Sequence, residues 1–186
     1  MTPLSIFPNT NLNFCSTTHQ TSYFNRLIDL INKSQESILV CQYVFSISHT
    51  RQWQRSNKVL NAFLKSYYRG VDIKFLFDRP RLHSPNFKTN ANTAFFLISK
   101  GLPVRCLSVT KTLHIKLLIF DRKIFLAGSH NLTNSSLYSP FELSFECADD
   151  FLTNSAVIYF NTLWDGPLSQ PYPNDEKALE LFFKLR

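Results

Sequence analysis

The hydrophobic positions of the chain fall into two alternating patterns. Short continuous apolar runs predict buried strands, and residues 37–45 and 71–77 are the clearest of them. Between the runs, apolar residues recur at helical spacing and predict helices over residues 18–33, 57–69, 86–100 and 153–164. Because strands alternate with helices, we expect an α/β fold in which a mixed sheet is sandwiched between helices on both faces.

Two further apolar runs, Ile115 to Phe120 and Ile124 to Ala127, are separated only by the polar segment 121–123. A connection this short predicts an antiparallel hairpin. A last strand is predicted over residues 142–148, where polar and apolar side chains alternate, so Glu142 and Glu146 should share one face of the sheet.

The chain of 186 residues is long enough for one domain with a full core and too short for two ordinary ones. We place that domain at residues 18–165. Residues 1–17 are polar, contain two prolines and are predicted to form an extended arm. Residues 166–186 are predicted to be a proline-rich linker followed by a short amphipathic helix.

The hairpin carries a group of polar residues at regular spacing. His114 and Lys116 are two positions apart, which places them on one face of a strand about 7 Å apart. Ser129 and Asn131 repeat this spacing beyond the second strand, directly after Gly128, which we expect to let the backbone approach a ligand closely. An imidazole, an ammonium, a hydroxyl and an amide at one sheet edge form a candidate phosphate site.

Together with Asp121, these residues match HxK(x)4D(x)6GSxN, the HKD signature, and the chain therefore resembles the phospholipase D superfamily. The resemblance extends through residues 69–73 and Leu163-Trp164 and covers about residues 18–164. Many members of the family carry two HKD copies, whereas this chain has one. It thus looks like the short, single-motif members, which resemble nucleases and work as homodimers.

The resemblance implies a mechanism that needs neither a metal nor another cofactor. One histidine attacks the phosphodiester to form a phosphohistidine, and the His114 of a second copy protonates the leaving oxygen, so the active site is shared across a homodimer. Lys116, Ser129 and Asn131 would bind the phosphate. Asp121 is counted among the catalytic residues of the motif, but its odd offset from His114 predicts that it faces away from the histidine, so we expect an orienting or structural role. The family's supporting carboxylate corresponds to Glu142, with Glu146 as the other candidate.

The net charge of the chain indicates which class of substrate it binds. A net charge of +7 and a pI near 9.3 favour a polyanionic partner, nucleic acid first and an anionic membrane surface second. Candidate substrate-binding residues are Trp53, Arg79, Arg81 and Lys111, which lie in polar segments beside predicted strand and helix ends. The alternative is that these segments are solvated loops.

Neither a secretory signal nor an apolar run of about 20 residues is apparent, so we expect a cytoplasmic protein without a stable membrane anchor. Three classes of function remain open. They are a metal-independent nuclease acting on DNA or RNA, a phospholipase D-type hydrolase of anionic phospholipids, and a non-catalytic nucleic-acid-binding module.

Overall fold

A computed structural model of the chain describes residues 12–16, 22–48, 50–79, 86–107, 111–175 and 177–180. Its helices are α1 Ser22–Lys33, α2 Arg55–Tyr68, α3 Phe87–Ser99, α4 Asn134–Tyr138 and α5 Asp150–Asp165. Its strands are β1 Leu12–Ser16, β2 Ser37–Gln42, β3 Asp72–Phe77, β4 Val104–Leu107, β5 Lys116–Phe120, β6 Ile124–Gly128, β7 Leu143–Cys147 and β8 Ser169–Pro171.

The strands form one mixed sheet in the order β1-β7-β6-β5-β2-β3-β4-β8. β2, β3 and β4 run parallel to one another, and α2 and α3 provide the long connections that parallel pairing requires. Every other neighbouring pair is antiparallel, including the predicted hairpin of β5 and β6. The predicted mixed sheet is therefore confirmed.

Helices cover both faces of the sheet, as the alternating pattern predicts. On one face α1, α2 and α3 pack over a core of aromatic rings, in which Phe63 and Phe75 meet edge to face with centroids 5.2 Å apart. On the other face α5 buries Phe160 and Trp164 against β5 and its neighbours. Lys116 belongs to the three-helix face, because Leu117 and Ile119, which alternate with it along β5, pack under α5.

Both edges of the sheet differ from the sequence prediction. Residues 12–16 lie within the predicted arm, yet they pair along their whole length with β7 as strand β1. Residues 169–171 lie within the predicted linker, yet they pair with β4 as strand β8. Edge strands this short carry little periodic signal, and proline in a strand is tolerated at an edge. Tyr172, just beyond β8, is buried in the core.

β2 ends at Gln42, three residues before the predicted end. The chain then leaves the regular ladder and donates from Tyr43 N to Ile115 O at 2.9 Å and from Ser46 N to Leu132 O at 3.0 Å. The segment after β2 is thereby held against the residues flanking His114 and Asn131. These two hydrogen bonds thus bring the segment after β2 next to the residues around His114 and Asn131, which form the candidate site.

Candidate active site

His114 and Lys116 lie at the start of β5 and are in direct contact. The Lys116 Nζ is 3.1 Å from Nδ1 and 3.2 Å from Nε2 of the His114 ring. The same ammonium donates to the His114 backbone oxygen at 3.0 Å. Because His114 is exposed and Lys116 is 7% exposed, the imidazole faces solvent with the cation behind it.

Burial dominates the electrostatics of Lys116. Desolvation lowers the pKa of its ammonium, while the nearby Glu142 carboxylate raises that pKa and partly offsets the effect. Gln42 lies opposite Lys116 across the β2–β5 pair, and its amide is fully buried. The site therefore pairs a poorly solvated cation with one nearby carboxylate.

Tyr43 belongs to this site, although the sequence analysis did not include it. Its ring centroid is 4.5 Å from that of His114, and the Lys116 Nζ lies 5.0 Å from the Tyr43 centroid. A cation at this distance from an aromatic face is stabilised by the ring quadrupole. The only sequence signal was its position at the end of a buried strand, which is typical of ligand-binding residues in α/β folds.

Ser129 and Asn131 leave β6 beside this pair. The Ser129 hydroxyl accepts from Leu143 N at 2.9 Å and donates to Leu143 O at 3.2 Å, so β7 holds it in place. Asn131 is half-buried, and its side-chain oxygen has no hydrogen-bond partner in the part of the chain described. A buried amide oxygen without a partner is unusual in a folded protein, and its place in the motif makes it a candidate contact for a polar ligand.

Gly128 has a packing role that the sequence did not show. A Cβ at this position would lie 2.4 Å from the Leu143 oxygen and 2.4 Å from the Ser144 Cα. The glycine is therefore required by the close approach of β7 to β6. The expected close approach of a ligand to this backbone stays a prediction.

Glu142, just before β7, and Glu146, within β7, have different partners. Glu142 accepts from the Ser136 hydroxyl at 2.8 Å and interacts electrostatically with Lys116. Glu146 is buried and forms a bidentate pair with Arg26 of α1, with distances of 2.6 Å and 2.8 Å. Of the two carboxylates considered from the sequence, Glu142 lies beside the motif lysine and Glu146 joins the sheet to α1.

Asp121 was grouped with the catalytic residues, but the structure separates it from them. It lies at the other end of β5, in a turn where Asp121 and Arg122 both have positive φ. Its carboxylate accepts from the backbone amides of residues 35, 36 and 37 at distances between 2.8 and 3.2 Å. It therefore fixes the hairpin to the start of β2, in keeping with the structural role we expected.

Three of the four predicted substrate-binding residues lie in the described part of the chain. Arg79 is half-buried just after β3, and Lys111 is exposed three residues before His114. Trp53 is 64% exposed in the turn before α2. Arg81 lies outside the described residues.

His130, the variable residue of GSxN, was treated as ordinary and is completely buried. Its ring stacks on Tyr23 with centroids 3.8 Å apart, and its Nδ1 is 2.7 Å from the Ser144 hydroxyl. Burial lowers the pKa of His130 to about 4, and Glu142 opposes that shift. His130 is thus a buried, neutral histidine between the motif residues Ser129 and Asn131.

The described residues provide neither a metal site nor a membrane-spanning helix. Within the described ranges, no group of three or more His, Cys, Asp or Glu residues is placed to hold a metal ion. Among the helices that the structure describes, none combines the length and apolar character needed to cross a bilayer.

Comparison with protein families gives one match over most of the chain. The family described as cardiolipin synthase, PLD-like domain, matches residues 27–164. The chain is 22% identical over 151 residues to a mitochondrial cardiolipin hydrolase of Chlamydomonas reinhardtii, covering 81% of this chain and 61% of that protein. It is 23% identical over 173 residues to phospholipase D Y of Dictyostelium discoideum, covering 84% of this chain and 38% of that protein.

Among solved structures, the chain is similar to Nuc, a phospholipase D family member from Salmonella typhimurium. The TM-score is 0.71 at 18% sequence identity, and the match covers 88% of this chain and 99% of Nuc. At this identity the similarity establishes the fold alone. The chain thus has the fold of Nuc but spans less than two thirds of the two sequence relatives.

Proposed function

The chain belongs to the phospholipase D superfamily, and on that premise we propose that it is a metal-independent phosphodiesterase that hydrolyses DNA or RNA. One observation carries the proposal: the exposed His114 ring contacts the buried Lys116 ammonium at 3.1 Å. An accessible imidazole can attack phosphorus, and the adjacent cation can bind the phosphate oxygens.

The reaction has two displacement steps. A ring nitrogen of His114 forms a bond to phosphorus as the bond to the leaving oxygen breaks, and a second histidine gives that oxygen a proton. Water then attacks the phosphohistidine while the second histidine takes the proton of the water. The phosphorus–nitrogen bond breaks, which frees His114 and a phosphate monoester. Dividing one difficult displacement into two in this way is the advantage of covalent catalysis.

Lys116 and Asn131 are suited to bind the non-bridging phosphate oxygens. The ammonium supplies positive charge from a site with little water, where electrostatic stabilisation is stronger than in solvent. The Asn131 amide adds neutral donors. Ser129 is held by both backbone groups of Leu143, so its hydroxyl can keep a fixed place in the same cradle.

The second histidine is proposed to come from a second copy of the chain. A two-fold dimer presents the same patch twice and would place two copies of His114 at one phosphate. Tyr138, Phe141 and Leu143, here called the apolar rim, are 52%, 95% and 54% exposed beside the motif residue Ser129. Association through this face would remove apolar surface from water.

Charge supports nucleic acid as the substrate. The chain carries a net charge of +7, which favours binding to a phosphate backbone. Lys111, Arg79 and Arg81 are the proposed phosphate contacts, and the exposed Trp53 is proposed to stack on a base. Binding to nucleic acid should therefore weaken steeply as salt is raised.

The test is hydrolysis by purified protein in EDTA. Single-stranded DNA, double-stranded DNA, RNA and cardiolipin vesicles are offered in parallel to the wild-type chain and to His114→Ala. We expect cleavage of a nucleic acid by the wild-type chain only. A requirement for added magnesium would contradict the mechanism, and binding without cleavage would favour a non-catalytic module.

A mixed dimer tests the shared site. One wild-type chain is paired with one His114→Ala chain through different affinity tags, and the purified heterodimer is assayed. If the only site needs both histidines, the heterodimer loses almost all activity. Retention of about half the wild-type rate would mean that each chain works alone.

A phospholipid is the second candidate substrate. Two observations favour it: the first sequence relative is named a cardiolipin hydrolase, and the apolar rim lies beside the motif. Exposed aromatic residues next to a reactive group can enter a lipid interface. Faster turnover of cardiolipin vesicles than of every nucleic acid would establish this alternative.

A further inference from the structure

Ser136 lies between two parts of the site that the sequence motif does not connect. Its hydroxyl accepts from the Asn131 backbone amide at 2.9 Å and donates to the Glu142 Oε1 at 2.8 Å. One hydrogen bond reaches the motif asparagine, and the other reaches the carboxylate beside Lys116. The hydroxyl thus uses its donor and one acceptor position at the same time.

The position of this hydroxyl is well determined by its surroundings. Ser136 is 6% exposed, and its backbone amide donates to the Thr133 hydroxyl at 3.1 Å at the start of α4. Arg55 of α2 fixes the same helix, because its backbone amide donates to the Asn134 side chain at 2.9 Å and its guanidinium donates to Leu137 O. The Arg55 guanidinium also lies 3.8 Å from the Tyr138 ring centroid.

We propose that Ser136 is a positioning residue that sets the Asn131 loop and the Glu142 carboxylate in one fixed arrangement. The inference rests on the proposed phosphodiesterase function. The two hydrogen bonds, from amide to hydroxyl and from hydroxyl to carboxylate, point in the same direction, so each polarises and strengthens the other. Without the hydroxyl, the carboxylate loses its donor and Asn131 loses the contact that places it. In the part of the chain that the structure describes, no hydrogen bond joins Asn131 directly to Glu142.

Ser136 acts through other groups, so its loss should affect the chemical step more than substrate binding. A hydrogen bond to a charged group corresponds to roughly a 10- to 100-fold change in rate when it matters only in the transition state. We expect Ser136→Ala to lower kcat by that factor and to change KM by about twofold or less.

The matched control is Ser135→Ala. Ser135 is the adjacent residue in α4 and is exposed. Within the described residues, its hydroxyl forms one hydrogen bond, to the Thr133 hydroxyl at 3.1 Å. The substitution is chemically identical but leaves the link between Asn131 and Glu142 intact. It should therefore retain the wild-type kcat and KM.

A double-mutant cycle with Glu142→Gln separates positioning from a general loss of stability. If Ser136 works through the carboxylate, Ser136→Ala should cost less than about threefold in kcat when Glu142 is already glutamine. Equal losses in both backgrounds would overturn the inference. Amide hydrogen exchange at Asn131 is measured on each variant, and we expect it to accelerate in Ser136→Ala alone.

The outcomes distinguish the inference from the function on which it rests. A wild-type chain that hydrolyses no phosphodiester removes the proposed function and the inference with it. An active wild-type chain with Ser136→Ala as active as Ser135→Ala leaves the function intact and removes only the role of Ser136.

Discussion

The two ends of strand β5 hold residues of the same sequence motif in opposite surroundings. At one end, the exposed His114 and the buried Lys116 are in contact, and desolvation lowers the pKa of the lysine. At the other end, the Asp121 carboxylate accepts from the backbone amides of Gln35, Glu36 and Ser37, where β2 begins. At the His114 end, polar groups remain available to a ligand. At the Asp121 end, the carboxylate is satisfied by backbone amides of the protein itself.

The same contrast occurs between Glu142, just before β7, and Glu146, within it. Glu142 lies by Lys116 and accepts from a single hydroxyl, whereas Glu146 is engaged by the guanidinium of Arg26 through both oxygens. The residue type is the same at both positions, and a spacing of four residues predicts one face of an extended chain. What differs is how far the surrounding chain has already satisfied the charge, and on this ground we propose Glu142 as the supporting carboxylate and assign Glu146 a structural role.

The largest expected effect is a loss of activity at the His114 end of β5. His114→Ala should reduce hydrolysis roughly 1,000-fold or more, because it removes the proposed nucleophile. Its side chain is exposed, so the free energy of unfolding should change little. Activity assays and urea denaturation measure the two quantities. A large loss of stability would place His114 among the structural residues.

Asp121→Ala should have the opposite result. It removes the acceptor of several backbone amides and places alanine at a φ of 49°. We expect the free energy of unfolding to fall by about 3 kcal/mol. The kcat of the folded fraction should remain near that of the wild-type chain. Asp121→Asn should lose less stability, because asparagine tolerates this φ and keeps one acceptor oxygen. A selective loss of kcat in Asp121→Ala would instead place Asp121 among the catalytic residues.

The two glutamates provide a paired test. Glu142→Gln should lower kcat roughly 10- to 100-fold with little change in stability. Glu146→Gln should leave kcat nearly unchanged and lower the free energy of unfolding by about 2 kcal/mol, because it weakens the pair with Arg26. Measuring both quantities for both variants tests the assignment, and the reverse pattern would make Glu146 the supporting carboxylate.

The smallest expected effect concerns the pH dependence of stability. The pKa of His130 is lowered to about 4 in the fold, against about 6.5 in the unfolded chain. As pH falls below 6.5, the unfolded chain takes up a proton that the folded chain does not. Stability should therefore fall, by roughly 2 kcal/mol at pH 5.

His130→Phe keeps a ring to stack on Tyr23 but cannot be protonated. Urea denaturation at pH 7.5 and pH 5 should show a smaller difference for this variant than for the wild-type chain. Equal differences in the two proteins would show that His130 does not contribute to acid sensitivity.

Strong periodic patterns predicted most of the fold. The long helices and the buried strands β2, β3, β5 and β6 were recognised because each buries a continuous apolar run or stripe. β1 and β8 were missed because an edge strand of three to five residues depends on its neighbour for its hydrogen bonds and not on its own pattern. The residues of the candidate site were found through a motif whose members are close in sequence.

The sequence by itself determined the mixed α/β sheet, the hairpin and the placement of His114 and Lys116 on one face. All of these follow from local periodicity and from covalent spacing along a strand. The tertiary structure alone decided which charges remain available: Arg26 engages Glu146, backbone amides engage Asp121, and Tyr43 packs against His114 and Lys116. These contacts join residues far apart in the chain, and their energies depend on burial and on the partner present, which no spacing along one strand can encode.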